Sequence, residues 1–248
     1  MLGRGKPAIT YGVRGLTYLE VTLTGPDQDL HSGLWGGRVP NPINELVKVL
    51  AQLWDNDRKV TIPNFYDGVR ELKDSERKEW QSLGVDPVAA LKGIGMPAEA
   101  NIGEAGFTAI EREWARPTCD LNGIIAGYTG PGAKTVIPSQ ASVKLSFRLV
   151  DDQNADKIAD SVIAWFKERT PPGCTWKFQN HGGGAPATCA TESAPLQAAF
   201  RAIGKACGVK PAMIKSGGSI PVAGLLKTTI GLETIFMGFG LEDDRVHS

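Results

Sequence analysis

Residues 16–24 alternate in character. Thr17, Leu19, Val21 and Leu23 fall on one side, and Tyr18, Glu20, Thr22 and Thr24 on the other. Period two with β-branched positions predicts a half-buried strand, stopped by Gly25-Pro26-Asp27. A loop of small and polar residues follows, from Asp29 through Gly36-Gly37. Asn41-Pro42 then reads as a helix start, Asn as the cap and Pro in the first turn. Ile43, Leu46, Val47, Leu50, Leu53 and Trp54 follow at helical spacing and predict one packed face. Residues 59–116 are less regular: 67–83 read as a charged, mostly solvated helix, and 84–106 as loops around short helices. Residues 120–127 predict a strand. Residues 142–150 predict a clearer one, with Val143, Leu145, Phe147 and Leu149 on one face and Ser142, Lys144, Ser146 and Arg148 on the other. A helix with Ile158, Ala159, Val162, Trp165 and Phe166 on one side is closed by Pro171-Pro172-Gly173. Residues 175–180 alternate again, Trp176 and Phe178 inward.

Strand, helix, strand, strand, helix, strand is the split ferredoxin-like βαββαβ order. The expected class is therefore α+β, an antiparallel sheet with two helices on one face and an insertion at about 59–116. The pattern changes after Gly182-Gly183-Gly184-Ala185-Pro186. Residues 193–207 predict a helix and 212–215 a short strand. Ser216-Gly217-Gly218-Ser219 predicts a turn leading into 220–226, and 233–240 a buried strand. These elements alternate in the α/β manner but are too few to close a core.

Composition narrows the function classes. The 248 residues are 42% hydrophobic and 22% charged, as in ordinary globular chains. Lys+Arg and Asp+Glu are each 27, so no bulk field draws the chain to nucleic acid or anionic lipid. No apolar run approaches the roughly 20 residues that span a bilayer. Cys119, Cys174, Cys189 and Cys207 form no C-x-x-C pair and read as reduced thiols of a cytoplasmic protein. His31, His181 and His247 are the only histidines, too dispersed to assemble a local zinc site.

Several residues admit two readings. Residues 127–135, GYTGPGAKT, depart from a P-loop because Ala133 separates Gly132 from Lys134 and Pro138 follows; a glycine-rich hairpin loop fits better. His31 is either a solvated loop residue or a donor to a substrate oxyanion. Arg148 is either a free group on a polar strand face or a bidentate clamp on a carboxylate. Ser219 is either a plain helix cap or part of a carboxylate seat at a helix N-terminus. His247, read alone, is a frayed terminal residue.

Five segments in order carry a resemblance: YGVRGLTYLEVTLTGP followed by DLHSG, then KTVIP, KLSFRLV, GGSIPV and the terminal VHS. Together they resemble the dinuclear-zinc exopeptidases related to carnosinase, aminoacylase and succinyl-diaminopimelate desuccinylase, the carnosinase-like dipeptidase branch above all. The resemblance implies a lid and dimerisation domain over residues 9–184 and part of a catalytic α/β domain over 185–248. It implies hydrolysis of dipeptides or N-acyl amino acids by a homodimer with two zinc ions. His31 would stabilise the oxyanion in the partner subunit's site, and Thr135 would contact substrate across the dimer. Arg148 would bind the substrate carboxylate with Gly217, Gly218 and Ser219, and His247 would be a zinc ligand. The family's other metal ligands and its general base match nothing here. The chain is therefore expected to be part of a longer polypeptide and inactive alone; the alternative is a non-catalytic dimerisation module.

Overall fold

The computed structural model describes residues 2–241. Its organising element is a 17-residue strand, β1 (Ala8–Thr24), which starts well before the expected residue 16. Over 16–24 it alternates as the sequence predicts, with Thr17, Leu19, Val21 and Leu23 buried. Residues 8–13 do not alternate, because neighbours cover both faces, and a strand covered on both faces shows no period of two.

The chain continues through β2 (Leu30–His31), a single turn α1 (Ser32–Trp35) and α2 (Pro42–Leu50). Asn41 caps α2 as expected, its Oδ1 accepting from the Ile43 N–H at 3.0 Å. Leu46, Val49 and Leu50 form the packed face. Val47, expected on that face, is 54% exposed.

Residues 59–116 contain α3 (Asp74–Ser82), α4 (Pro87–Gly93), a 3₁₀ turn at Ala98–Ala100 and α5 (Ala109–Ala115). The helix expected at 67–83 is confined to α3. It is less solvated than expected, since Trp80 packs edge-on against Trp114 with ring centroids 5.4 Å apart. Ahead of it, Val60, Ile62 and Phe65 join the main core.

Then come β3 (Thr118–Ala126), β4 (Val136–Ile137), β5 (Gln140–Leu149), α6 (Ala155–Glu168) and β6 (Thr175–Gly184). The sheet order is β3-β5-β1-β6 with antiparallel pairing throughout, the ferredoxin-like arrangement. Leu19 stands opposite Leu145, and Leu145 opposite Leu121. Helices α2 and α6 cover the apolar face in one continuous core that includes Leu46, Leu50, Val162, Trp165 and Phe166.

The last elements are β7 (Ala187–Thr188), α7 (Ala194–Cys207), β8 (Ala212–Ser219) and α8 (Pro221–Ile230). The first half of β1 pairs with β8 in parallel and with β7 antiparallel. Two expectations are corrected here. Residues 216–219 are the end of β8, where side chains from distant elements hold the backbone, and not a turn. Residues 233–240 form no strand; only Phe236 bridges β1, at Thr10, through two hydrogen bonds of 3.1 Å. The neighbouring positions Tyr11 to Val13 are already paired with residues 187–189.

Candidate functional site

The first candidate group stands at the far end of β1. His31 and Val136 are ladder partners in the β2–β4 ribbon, and the Ser32 N–H donates to the Thr135 carbonyl at 3.1 Å. His31 and Thr135 are thus held on one two-stranded ribbon. The His31 ring is exposed. Its Nδ1 accepts from the Gly33 N–H at 3.1 Å and so caps α1. A neutral ring that accepts at Nδ1 carries its proton on Nε2, which makes it a donor toward an outside oxygen.

The second group lies where the lid sheet meets β8. Arg148 is half-buried, not free on a solvated face. Its Nη1 donates to Ser219 Oγ at 2.7 Å, and that hydroxyl donates to the Gly15 carbonyl at 2.9 Å. Ser219 does not cap a helix. The cap position of α8 is Ile220, and no side chain bonds there. Gly15 itself is closely packed on the chain that leaves β6: a Cβ there would sit 2.6 Å from the Gly184 carbonyl oxygen. Gly217 belongs to the same network: its carbonyl accepts from Arg14 Nε at 2.8 Å and its N–H donates to Glu113 Oε1 at 3.3 Å. The Gly218 N–H turns back to Ser216 Oγ at 3.2 Å and stays outside the network.

The strand pattern did not flag Arg14 or Glu113. Burial first, and then the like charge of Arg148, push the Arg14 guanidinium down to about 10. The sequence signal for Arg14 was its place in the YGVRG segment, one residue before the tightly packed Gly15.

Along β1 the two groups are well separated. Arg148 pairs with Leu16, and the chain leaves the strand toward His31 only after Thr24. The eight-residue step from Leu16 to Thr24 covers about 26 Å of extended strand, and the ribbon that holds His31 and Thr135 joins β1 and β5 at the Thr24–Gln140 end of their ladder.

Among the described residues, no group of three or more His, Cys, Asp or Glu side chains could hold a metal ion. The expected ligand His247 lies outside the described residues. The four cysteines are unpaired, with Cys119, Cys174 and Cys189 buried. No helix among the described residues is long and apolar enough to cross a membrane. Among the described residues β3 pairs in the lid sheet only with β5, and Ile124 and Ile125 on it are 53% and 66% exposed.

The family model described as the peptidase dimerisation domain of M20 type matches residues 11–174. The Cys-Gly metallodipeptidase DUG1 of Candida albicans is 32% identical over the whole of this chain and 51% of that protein. The crystal structure of human carnosine dipeptidase 1 is similar at a TM-score of 0.77 and 29% identity, over 98% of this chain and 51% of the other. The M20 family metallo-carboxypeptidase Sso-CP2 from Sulfolobus solfataricus gives 0.80 and 31%, over 94% and 52%. The chain spans about half the length of the curated relatives it matches. With a family model over most of its length and the lid architecture seen in those structures, the chain belongs to the M20 family of peptidases.

Proposed function

We propose that this chain forms the lid and the following segment of a zinc-dependent metallopeptidase, a homodimer that hydrolyses dipeptides or N-acyl amino acids. The observation that carries the reading is the separation of the two candidate groups on one strand. Two extended residues span only about 7 Å, much less than the length of strand between the points where the two groups attach, so in this reading a dipeptide whose carboxylate sits at Arg148 does not reach His31 of the same chain. It can meet His31 of a second copy.

In this reading the Arg148 guanidinium binds the substrate carboxylate, which a planar fork of N–H donors suits. Ser219 Oγ, already held by Arg148, adds a hydroxyl; Gly217 sets the position of this backbone, and Gly218, where a Cβ would meet only Ser216 Oγ at 3.5 Å, leaves room for the ligand to approach. From the partner, His31 donates its Nε2–H to the oxygen on which charge develops, and Thr135 on the same ribbon contacts the substrate. A preorganised donor of this kind contributes about a hundredfold or more to kcat. The β3 edge, with Ile124 and Ile125 bare, is a surface suited to self-association. The described residues do not fit a zinc ion, so the metal's donors lie among other residues, with His247 proposed as one. Unpaired cysteines support a cytoplasmic setting. The 248-residue chain incubated with zinc and dipeptides is expected to show no turnover.

The test uses an active polypeptide containing this chain. His31→Ala and Arg148→Ala are each expected to lose about a hundredfold or more in activity. Mixed under conditions of subunit exchange, they should recover roughly a quarter of wild-type activity, because half the dimers carry one site with both residues intact. Mixtures as inactive as their components would reject the shared site. Full activity in both single variants would instead favour the alternative, a dimerisation module without a catalytic part.

A further inference from the structure

Arg14 and Leu16 lie two positions apart on β1, so their side chains leave the same face of the strand. Leu16 is the ladder partner of Arg148. Arg14 and Arg148 are therefore diagonal neighbours across two strands, at about 7–8 Å between Cα atoms, within reach of two long side chains. Along the same edge of β1, where β8 meets the end of β5, Arg14 is the ladder partner of Ser219, the residue that takes the Arg148 hydrogen bond. Two guanidinium groups thus converge on the end of β8.

The end of β8 is held in an unusual way. The polar groups of Gly217 are bonded by side chains, the carbonyl by Arg14 and the N–H by Glu113. The clamp closes on bare backbone: a Cβ on Gly217 would stand 2.7 Å from Glu113 Cγ and 3.0 Å from Arg14 Nη2. Arg14 Nη1 is buried and has no hydrogen-bond partner among the described residues. A buried guanidinium N–H without a partner is costly, and two adjacent cations repel. A single anion bound beside them relieves the repulsion.

We propose that Arg14 is a positioning residue of the carboxylate site: it fixes Gly217, and through it Ser219 Oγ, and supplies a second positive charge that favours a carboxylate over a neutral group. The inference rests on the reading of Arg148 and Ser219 as the carboxylate seat. Arg14 acts through Ser219 and through its charge, because its Nη1 is closed to solvent.

The experiment follows the backbone amide NMR signals of Gly217, Gly218 and Ser219 in the 248-residue chain during titration with N-acetylglycine. N-acetylglycinamide, which lacks the carboxylate, is the control. Wild type is expected to respond to the acid and not to the amide. Arg14→Gln should bind about tenfold more weakly, through loss of a nearby positive charge and of the bond that holds Gly217, and its affinity should depend less steeply on salt. Arg14→Lys should also bind more weakly, having lost the Nε donor, but should keep the wild-type salt dependence. A purely structural role would not separate the two variants by salt. Should Arg14→Gln fail to fold, Arg14→Lys decides alone, and wild-type affinity in it overturns the proposal. Wild-type affinity and salt dependence in Arg14→Gln, with binding lost in Arg148→Gln, would overturn the role of Arg14 alone. No response from the wild-type chain would overturn both this inference and the carboxylate seat.

Discussion

The two halves of β1 belong to sheets in different conditions. From residue 15 onward the strand lies between β5 and β6, with α2 and α6 closing its apolar face. Before residue 15 it lies beside β7 and β8, where Ile9 and Tyr11 pack with Leu196 and Ile203 of α7. The lid core is complete, whereas in the second region the outer face of α8 is bare: Val222, Leu225 and Ile230 are all exposed. One strand thus couples a closed core to an open one, and the candidate carboxylate seat sits at the joint. The arrangement lets the lid fold on its own contacts while Arg148 from one side and Ser219 from the other meet at a fixed register.

The strongest way to break this comparison is to open the closed core. Leu145 is fully buried at the centre of the sheet, between Leu19 and Leu121. Leu145→Ala removes buried methyl groups and leaves a cavity that a central strand cannot collapse. It is expected to cost about 3 kcal/mol in urea unfolding. A loss under about 1 kcal/mol would mean that the lid is not the tightly packed partner of the pair.

The same contrast explains what the sequence disclosed. Where one face is buried and the other wet, as in residues 16–24 and 142–149, the alternation is written in the residues, and the lid's strand order followed from it. The first half of β1 has no such alternation, because Ile9, Tyr11 and Val13 are buried alongside Ala8 and Gly12. Residues 216–219 look like a turn because nothing local holds a Gly-Gly pair extended; the groups that do, Arg14 and Glu113, lie 203 and 104 residues away. Helix α5 carries a signal in its own sequence. Thr108 and Glu111 form a capping box, with Thr108 N–H donating to Glu111 Oε2 at 2.7 Å. Of the candidate site, the pairing of His31 with Thr135 and of Arg148 with Ser219 could not be read from spacing. It depends on ladder register between segments about 70–100 residues apart.

The junction between the regions is also ionic, and pH should sharpen that. Arg70 from the insertion bonds both carboxylate oxygens of Glu76 at 2.6 Å and reaches Asp151 at the end of β5, and Asp151 lies 3.9 Å from Lys215 on β8. The Arg70 hydrogen bonds hold the Glu76 carboxyl below the usual carboxylate range. A group whose pKa is lower folded than unfolded stabilises the fold above its unfolded value, about 4.3 for Glu, and loses that contribution as pH falls through the folded value. Stability should therefore decline on acidification below about pH 4. Arg70→Gln should flatten that limb, with a cost at neutral pH of at most about 1 kcal/mol because the arginine is partly exposed. Parallel acid limbs in wild type and variant would show that the Arg70–Glu76 pair does not contribute to stability in this way.

The smallest expected effect probes the open side directly. Leu225 on α8 is 62% exposed, so Leu225→Ala in the 248-residue chain removes methyl groups that mostly face water already. Alanine also favours the helix slightly. The net change in urea unfolding should stay within about 0.5 kcal/mol. A cost of 2 kcal/mol or more would mean that the face is covered in solution, and dilution separates the two ways of covering it: cover by a second copy fades as concentration falls, whereas cover within the chain does not. In a longer polypeptide whose further residues pack on α8, the same substitution becomes a core deletion and should cost as much as Leu145→Ala. The difference between these two contexts measures how far the region after residue 185 depends on residues beyond this chain for a closed core.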